Sequence, residues 1–286
     1  MPFFRAPVSE AAAFSVHLVN PVFIADLHLS KEAPALTRAF LAFLKAFDTA
    51  GELKGKKELV ILGDLFDAWL GDDTSADLAE VRDALRRFST GRRLYLMQGN
   101  RDFLIGARFA REVGAMLLAD PVIATIGAAE TRALLSHGDR WCTSDLRYQT
   151  VRARLRRPFI QLALLNLPLW VRRRVAADAK NRSRAAKSAH TRKGDWEVLD
   201  VTPAAVLADA KHFGSSLVIH GHTHRPAIHP LSTTPTVFSG DERASAGTRI
   251  VLSDWLCDDG KLTKGDALTF TDTTPVKISL THLLDG

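Results

Sequence analysis

Seven residues of metal-binding type recur in short clusters along this chain: Asp26 with His28, Asp64, Asn100, His137, and His222 with His224. All are oxygen or imidazole donors, and no thiolate stands among them. That mixture suits Mn, Fe, Zn or Co better than Ca or a structural zinc. Seven donors exceed what one tetrahedral ion needs, but they suit two ions sharing a bridging carboxylate. Such a centre activates water and offsets charge on a phosphoryl or carbonyl group. In Asp26-x-His28 and His222-x-His224, a spacing of two in extended chain sets both side chains on one side. Gly63, Gly99 and Gly221 are expected to let the backbone turn sharply beside the donors.

The elements that must hold these donors are legible as apolar runs. Val22-Phe23-Ile24-Ala25 leads into Asp26, and Leu59-Val60-Ile61-Leu62 into Gly63-Asp64. Leu94-Tyr95-Leu96-Met97 leads into Gly99-Asn100-Arg101-Asp102, Thr131 to Ser136 into His137-Gly138-Asp139, and Leu217-Val218-Ile219 into His220-Gly221-His222-Thr223-His224. Short continuous runs of this kind read as buried strands. Open α/β sheets bind ligands outside the carboxyl ends of their strands, which is where every donor falls. Helical spacing lies between the runs: Leu36, Phe40, Leu44 and Phe47, then Leu78, Val81, Leu85 and Phe88. The pattern is α/β. Toward the C-terminus, residues 249–252, 267–270 and 276–280 read as strands separated by turns such as Asp258-Asp259-Gly260, and predict a second, partly antiparallel sheet.

Composition excludes several classes. The chain has 286 residues, 46% of them hydrophobic and 24% charged, which is globular composition rather than disorder, collagen or coiled coil. Two cysteines, Cys142 and Cys257, do not make a disulfide framework and fit a reducing compartment. No stretch free of charged residues reaches the ~20 residues of an ordinary spanning helix. Only Arg5 precedes the apolar Ala11–Phe14, and His17 soon breaks the run, so no secretory signal is expected. The net charge is +6, but ten Arg and three Lys face Asp178 alone between Thr150 and Lys193, so this segment carries +12 and the rest −6. Such a segment meets phosphate, as nucleic acid, nucleotide or anionic lipid.

Residues 150–197 read as a helical insertion between two core strands, basic at Arg152 to Arg157, apolar from Phe159 to Val171, and basic again at Arg172-Arg173-Arg174. Pro158 and Pro168 break or start helices there, and Ala185 to Gly194 reads as a mobile link. The apolar run is too short to span a bilayer but long enough to wall a groove or dip into an interface. The flanking arginine clusters are expected to face anionic headgroups or a diphosphate. A nucleic-acid-binding role needs interleaved aromatic residues. Only Tyr148, Phe159 and Trp170 are available, so no nucleic-acid partner is expected.

Asp-x-His, Gly-Asp, Gly-Asn-x-Asp, His and Gly-His-x-His, in that order from Asp26 to His224, resemble the motifs of calcineurin-like metallophosphoesterases. Four longer strings resemble the UDP-2,3-diacylglucosamine hydrolase family, lipid A enzymes of Gram-negative bacteria: residues 23–29, 63–69, 99–104 and 220–226. The resemblance implies one domain over 1–286, a two-sheet α-β-β-α sandwich with core 20–149 and 198–286 and residues 150–197 as a lid. It implies one metal on Asp26, His28, Asp64 and His224, and a second on Asp64, Asn100, His137 and His222, both most simply Mn2+. It places Asp64, Asn100, Arg101 and Asp102 in catalysis. Asn100, Arg101, Asp145, Ser183, Lys187 and His222 would bind substrate, although about four residues are added before Asp200. It implies a cytoplasmic protein, peripheral on the inner-membrane face, whose substrate is UDP-2,3-diacylglucosamine. Hydroxide would attack phosphorus in line. Another phosphoesterase activity, on a nucleotide or phosphoprotein, is the alternative.

Arg101 departs from the wider superfamily, where this position is His and protonates the leaving oxygen. A guanidinium stays protonated and is a poor general acid. It can hold phosphate oxygens in a bidentate grip. The site therefore favours a leaving group that departs without a proton, such as a phosphate monoester. A simple pairing of Arg101 with Asp102 is the competing reading. Asp145 reads equally well as a helix N-cap, and Trp69, Trp170 and Trp255 as packing.

Overall fold

The computed structural model describes residues 13–49, 51–193, 200–231 and 247–284, without the side chains of 13–14, 183–193 and 284. In chain order, β1 (Ala13–Leu18) and β2 (Pro21–Ile24) precede α1 (Pro34–Thr49), β3 (Glu58–Leu62) precedes α2 (Ala79–Ser89), and β4 (Arg93–Met97) precedes α3 (Ala107–Glu112). There follow β5 (Ala115–Ile126), β6 (Thr131–Ser136), α4 (Leu146–Leu155), α5 (Pro158–Asn166), α6 (Leu169–Lys193), α7 (Pro203–His212) and β7 (Leu217–His220). The C-terminal part holds β8 (Ala227–Pro230), β9 (Thr248–Val251), β10 (Leu256–Asp258), β11 (Lys261–Lys264), β12 (Asp266–Thr271) and β13 (Thr274–Ser279).

Hydrogen bonding runs through the strands in the order β13-β12-β2-β3-β4-β5-β6-β7-β9-β8, with β1 beside β5. β5 joins two layers. Its residues 115–118 pair in parallel with β4, and its residues 122–126 pair antiparallel with β6. The period-two alternation of strands then separates the faces. Phe23, Val60, Leu62 and Met97 of one layer meet Leu135, Leu217, Ile219 and Ile250 of the other in a buried cluster. On the outer face of the first layer, Val22, Ile24, Leu59 and Ile61 pack against Phe40, Phe43, Leu85 and Phe109 of α1–α3. On the outer face of the second, Leu134 and Val218 pack against Val206 and Ala210 of α7. The layers therefore run α-β-β-α.

The C-terminal strands do not form a sheet of their own, contrary to expectation. β12 pairs antiparallel with β2 and extends the first layer, while β9 pairs in parallel with β7 and extends the second. Only β10 and β11 stand apart, as a hairpin across the expected turn at Asp258-Asp259-Gly260. Edge positions were open on both layers, and pairing them removes exposed backbone groups.

The helices between β6 and β7 begin at Leu146 rather than Thr150, and the expected link at 185–194 is helical as far as Lys193. Pro158 stands in the first turn of α5, where its missing N–H is harmless. Several of the basic residues point inward. Arg152 pairs with Asp139 at 2.8 Å and with Asp120 at 3.4 Å, and Arg156 donates to the Gly99 carbonyl at 3.0 Å. Arg172 is buried, and its two terminal nitrogens meet Asp73 at 2.9 and 2.5 Å. Of the arginines expected to face headgroups or a diphosphate, Arg152, Arg156 and Arg172 instead fasten the helices to the body. Leu165 likewise packs against the cluster under α1–α3. Among the described residues, no helix is long and apolar enough to cross a membrane.

Candidate active site

The segments following β2, β3, β4, β6 and β7 converge. Asp26 (φ 55°), His28 (52°), Asp64 (52°), His222 (70°) and His224 (59°) all hold left-handed backbone. The extended geometry expected for Asp26-x-His28 and His222-x-His224 is therefore wrong. Such conformations cost about 1–3 kcal/mol each and persist where the surroundings over-determine them. Here the Asp26 N–H donates to the Gly63 carbonyl at 3.1 Å, and the His28 N–H to the Asp64 carbonyl at 3.0 Å. The His222 N–H donates to Asp26 Oδ2 at 2.7 Å. Of the three glycines, Gly63 does take a positive φ, 89°. Gly99 and Gly221 serve close approach instead: a Cβ would lie 2.1 Å from Asp64 Oδ1 at Gly99, and 2.3 Å from Asp26 Oδ2 at Gly221.

All seven expected ligands come together. His28 Nε2 lies 3.3 Å from His224 Nε2, and His224 Nε2 lies 3.5 Å from Asp26 Oδ1. His137 Nε2 and His222 Nδ1 each lie 3.0 Å from Asn100 Oδ1. Asp64 faces both groups, with Oδ2 at 3.7 Å from His28 Nδ1 and Oδ1 at 3.8 Å from His137 Nε2. Among the described residues, Asp26, His28 and His224, and again Asp26, Asp64 and His137, present donor atoms within 4.8 Å of one another. Asp26 Oδ1 and His28 Nδ1 are buried and make no hydrogen bond. Unsatisfied buried donor atoms of ligand type, converging on one another, fit divalent cations.

Protonation follows from burial and neighbours. Burial brings His28 and His222 down to about 3, so both imidazoles are neutral and free to act as ligands. Burial pushes Asp64 up to about 7, and the carboxylates of Asp102 and Asp26 push the same way against His137. For His137, burial favours the neutral form, but Asp64, Asp26 and Asp139 outweigh it and lift the group to about 9. For Asp26, burial favours the acid, but His224, His137 and His28 outweigh it and hold the carboxyl below its ordinary range. Metal ligands must be deprotonated, so a cation here competes with the protons of Asp64 and His137.

Arg101 donates through its backbone N–H to Asp64 Oδ1 at 2.9 Å, and its guanidinium Nε lies 3.7 Å from Asp64 Oδ2. Its ion-pair partner is Asp67, at 2.7 Å, rather than Asp102. Lys180 of α6 reaches the other oxygen of Asp67. Asp102 is fully buried and accepts from the backbone N–H groups of Gly99 (2.7 Å), Asp64 (3.3 Å) and Phe66 (3.3 Å). It therefore ties together the backbone at Gly99, Asp64 and Phe66. Asp145 is the N-cap of α4, accepting from the Tyr148 N–H at 2.8 Å. The expected substrate contacts Ser183 and Lys187 fall on α6 where the side chains lie outside the described residues. A cleft of about 270 Å³ opens beside Asn100, bordered by Phe103, Tyr148, Val151, Arg152, Leu155 and Arg156.

Four contributors escaped the sequence reading. Asp67 stands inside the string 63–69, and Asp139 two residues past His137. Tyr148 stacks at 6.0 Å on His222 and donates to Asp139 at 2.9 Å. Asp254 lies 3.3 Å from His224 Nδ1. It follows β9, so the strand-end rule that found the other donors was the available signal.

A family model described as calcineurin-like phosphoesterase matches residues 20–226. The chain belongs to that family. As a calcineurin-like phosphoesterase it is a metal-dependent hydrolase, and the two clusters above are its candidate metal-holding groups. Relatives within reach are named UDP-2,3-diacylglucosamine hydrolase. One from Ectopseudomonas mendocina is 43% identical over 81% of this chain and 88% of its own. One from Pseudomonas putida is 43% identical over 81% of this chain and 89% of its own. One from Xanthomonas campestris pv. campestris is 42% identical over 87% of this chain and 96% of its own.

Proposed function

We propose that this phosphoesterase hydrolyses the pyrophosphate bond of UDP-2,3-diacylglucosamine, releasing UMP and 2,3-diacylglucosamine 1-phosphate in lipid A biosynthesis. The observation that carries the reading is the 42–43% identity, over most of both chains, to relatives bearing that enzyme's name. Asp26, His28, Asp64 and His224 would hold one divalent ion, and Asp64, Asn100, His137 and His222 a second, with Mn2+ the metal expected. When bound, such ions lower the pKa of water and offset negative charge developing on phosphorus.

The remaining work falls to the chain itself. Arg101 grips phosphate oxygens and stabilises their charge beside Asp64, with Asp67 holding the guanidinium in position. It gives no proton, so the departing group must be a phosphate that leaves as an anion. Asp102 keeps the backbone of Gly99 and Asp64 in register. The aromatic and aliphatic side of the cleft beside Asn100 suits a substrate with an apolar portion.

Residues 150–197 act as a lid on one domain that spans the chain. The protein sits peripherally on the cytoplasmic face of the inner membrane. Phe159 of α5 and Trp170 of α6 support this, being 61% and 70% exposed, with the exposed Arg157 capping the start of α5 and the exposed Arg174 on α6. Each cation near an anionic surface contributes about 1 kcal/mol.

The test is an assay of purified protein with Mn2+ and UDP-2,3-diacylglucosamine, alongside a dialkyl phosphate. Release of UMP with negligible dialkyl phosphate turnover is expected. Absence of UMP, or efficient turnover of the dialkyl ester, overturns the reading.

A further inference from the structure

His224 carries its two ring nitrogens in different directions. Nε2 faces the cluster, 3.5 Å from Asp26 Oδ1 and 3.3 Å from His28 Nε2. Nδ1 faces Asp254 Oδ2 at 3.3 Å. Asp254 is 3% exposed and lies beyond the stretch matched by the family model, which ends at residue 226. Its other oxygen meets Lys264 Nζ at 2.5 Å, and the same ammonium donates to the His224 carbonyl at 3.0 Å. One lysine of the β10–β11 hairpin thus holds both the backbone of His224 and the carboxylate that its ring faces. The next residue ties the segment to a second ligand: the Trp255 N–H donates to the Asp26 carbonyl at 3.1 Å. Trp255 is itself fixed, packed edge-on to Phe43 at 5.5 Å and to Phe40 at 6.4 Å.

We propose that Asp254 is a positioning residue that sets the tautomer and aim of His224, with Lys264 as its anchor, so that the C-terminal strands govern the affinity of one metal position only. The inference rests on the two-ion reading given above. A carboxylate facing Nδ1 favours the proton there and leaves Nε2 as the lone pair turned to the cluster. His224 also holds φ 59°, so its ring orientation is not secured by a relaxed backbone. His137 is braced differently: its Nδ1 lies 2.9 Å from the Leu62 carbonyl. The two histidines are therefore braced by different devices, His224 by a carboxylate anchored from the hairpin and His137 by a backbone carbonyl.

The test is calorimetric titration of Mn2+ into chelator-stripped protein, with metal content measured after gel filtration. Wild type takes up two ions. In Asp254→Ala one ion binds ~10–100-fold more weakly, the scale for loss of such a partner, and the other is unchanged. Asp254→Asn keeps an acceptor for the Nδ1 proton and loses less. Lys264→Met, a change at a third-exposed residue, lowers the same affinity by a smaller factor. Adding Asp254→Ala to His224→Ala changes metal binding no further. If wild type binds no metal, the two-ion reading fails and this inference with it. If wild type binds two ions and both Asp254→Ala and Lys264→Met keep both affinities, the two-ion reading stands and this inference is wrong. Equal weakening of both ions also overturns it.

Discussion

A single methyl group at Gly99 separates the geometry of the site from the stability of the fold. An added Cβ would lie 2.1 Å from Asp64 Oδ1, 2.3 Å from Asp64 N and 2.8 Å from Asp64 Cγ, where ordinary contact begins at 3.4 Å. The overlap with Oδ1 is therefore about 1.3 Å. Neither side can yield easily. The Gly99 N–H is held by Asp102 at 2.7 Å and its carbonyl by Arg156 at 3.0 Å, while Asp64 is 2% exposed. Gly99→Ala must move the Asp64 carboxylate by roughly 1 Å, and a misplacement of that size costs about 10²-fold in rate. Metal ligands tolerate only about 0.2 Å. Overpacking of this kind lowers stability by about 1–3 kcal/mol, or roughly 2–4 °C per kcal/mol in a chain of this size. The assay is thermal unfolding with EDTA and with Mn2+ at a hundred times the wild-type dissociation constant. Mn2+ should add about 2.7 kcal/mol to wild type, and only about 0.4 kcal/mol to a variant that binds a hundredfold more weakly. A variant with wild-type kcat/KM and an undiminished Mn2+ increment refutes the reasoning.

Other outcomes follow from the same structure. His220 is buried, and burial followed by the Arg249 cation brings it down to about 3. The unfolded chain takes up this proton below pH ~6.5 and the fold does not, so stability is full above that pH and falls by up to ~1.4 kcal/mol per pH unit below it. In EDTA, His220→Asn should show a flatter loss of urea midpoint between pH 7.5 and 5.0, and identical slopes sink the argument. Burial pushes the Cys142 thiol up to about 12, so iodoacetamide at pH 8 should spare it in native protein and label it in urea. Equal native labelling of Cys142 and the half-buried Cys257 contradicts this. Arg101→Ala should lower kcat/KM on the pyrophosphate substrate by at least tenfold with the metal content unchanged. Loss of metal in that variant shows instead that Arg101 supports the ligands. Phe159→Ser with Trp170→Ser should weaken binding to anionic vesicles without shifting Tm, because both side chains are exposed; unchanged vesicle binding refutes the membrane role.

The sequence by itself determined the strands that carry the donors, since an apolar run ending in Asp, His or Asn is a local pattern that burial and ligation both require. It also determined all seven candidate ligands, because these depend on residue type and order alone, while the exceptional character of Arg101 is what the family resemblance implies. Tertiary structure decided the rest. β5 serves two layers because β4 pairs with its first half and β6 with its second, and no local periodicity encodes a choice of partner. The arginines of residues 150–197 look alike in sequence, yet Arg172 is buried against Asp73 while Arg174 is exposed, a distinction set by where acidic partners lie a hundred residues away. The left-handed backbone at Asp26 and His28 is likewise invisible in sequence, because hydrogen bonds to the Gly63 and Asp64 carbonyls and from the Trp255 N–H hold it there. Asp254 and Lys264 reach His224 only because the β10–β11 hairpin folds back onto the site, bringing Lys264 onto a carbonyl 40 residues earlier in the chain.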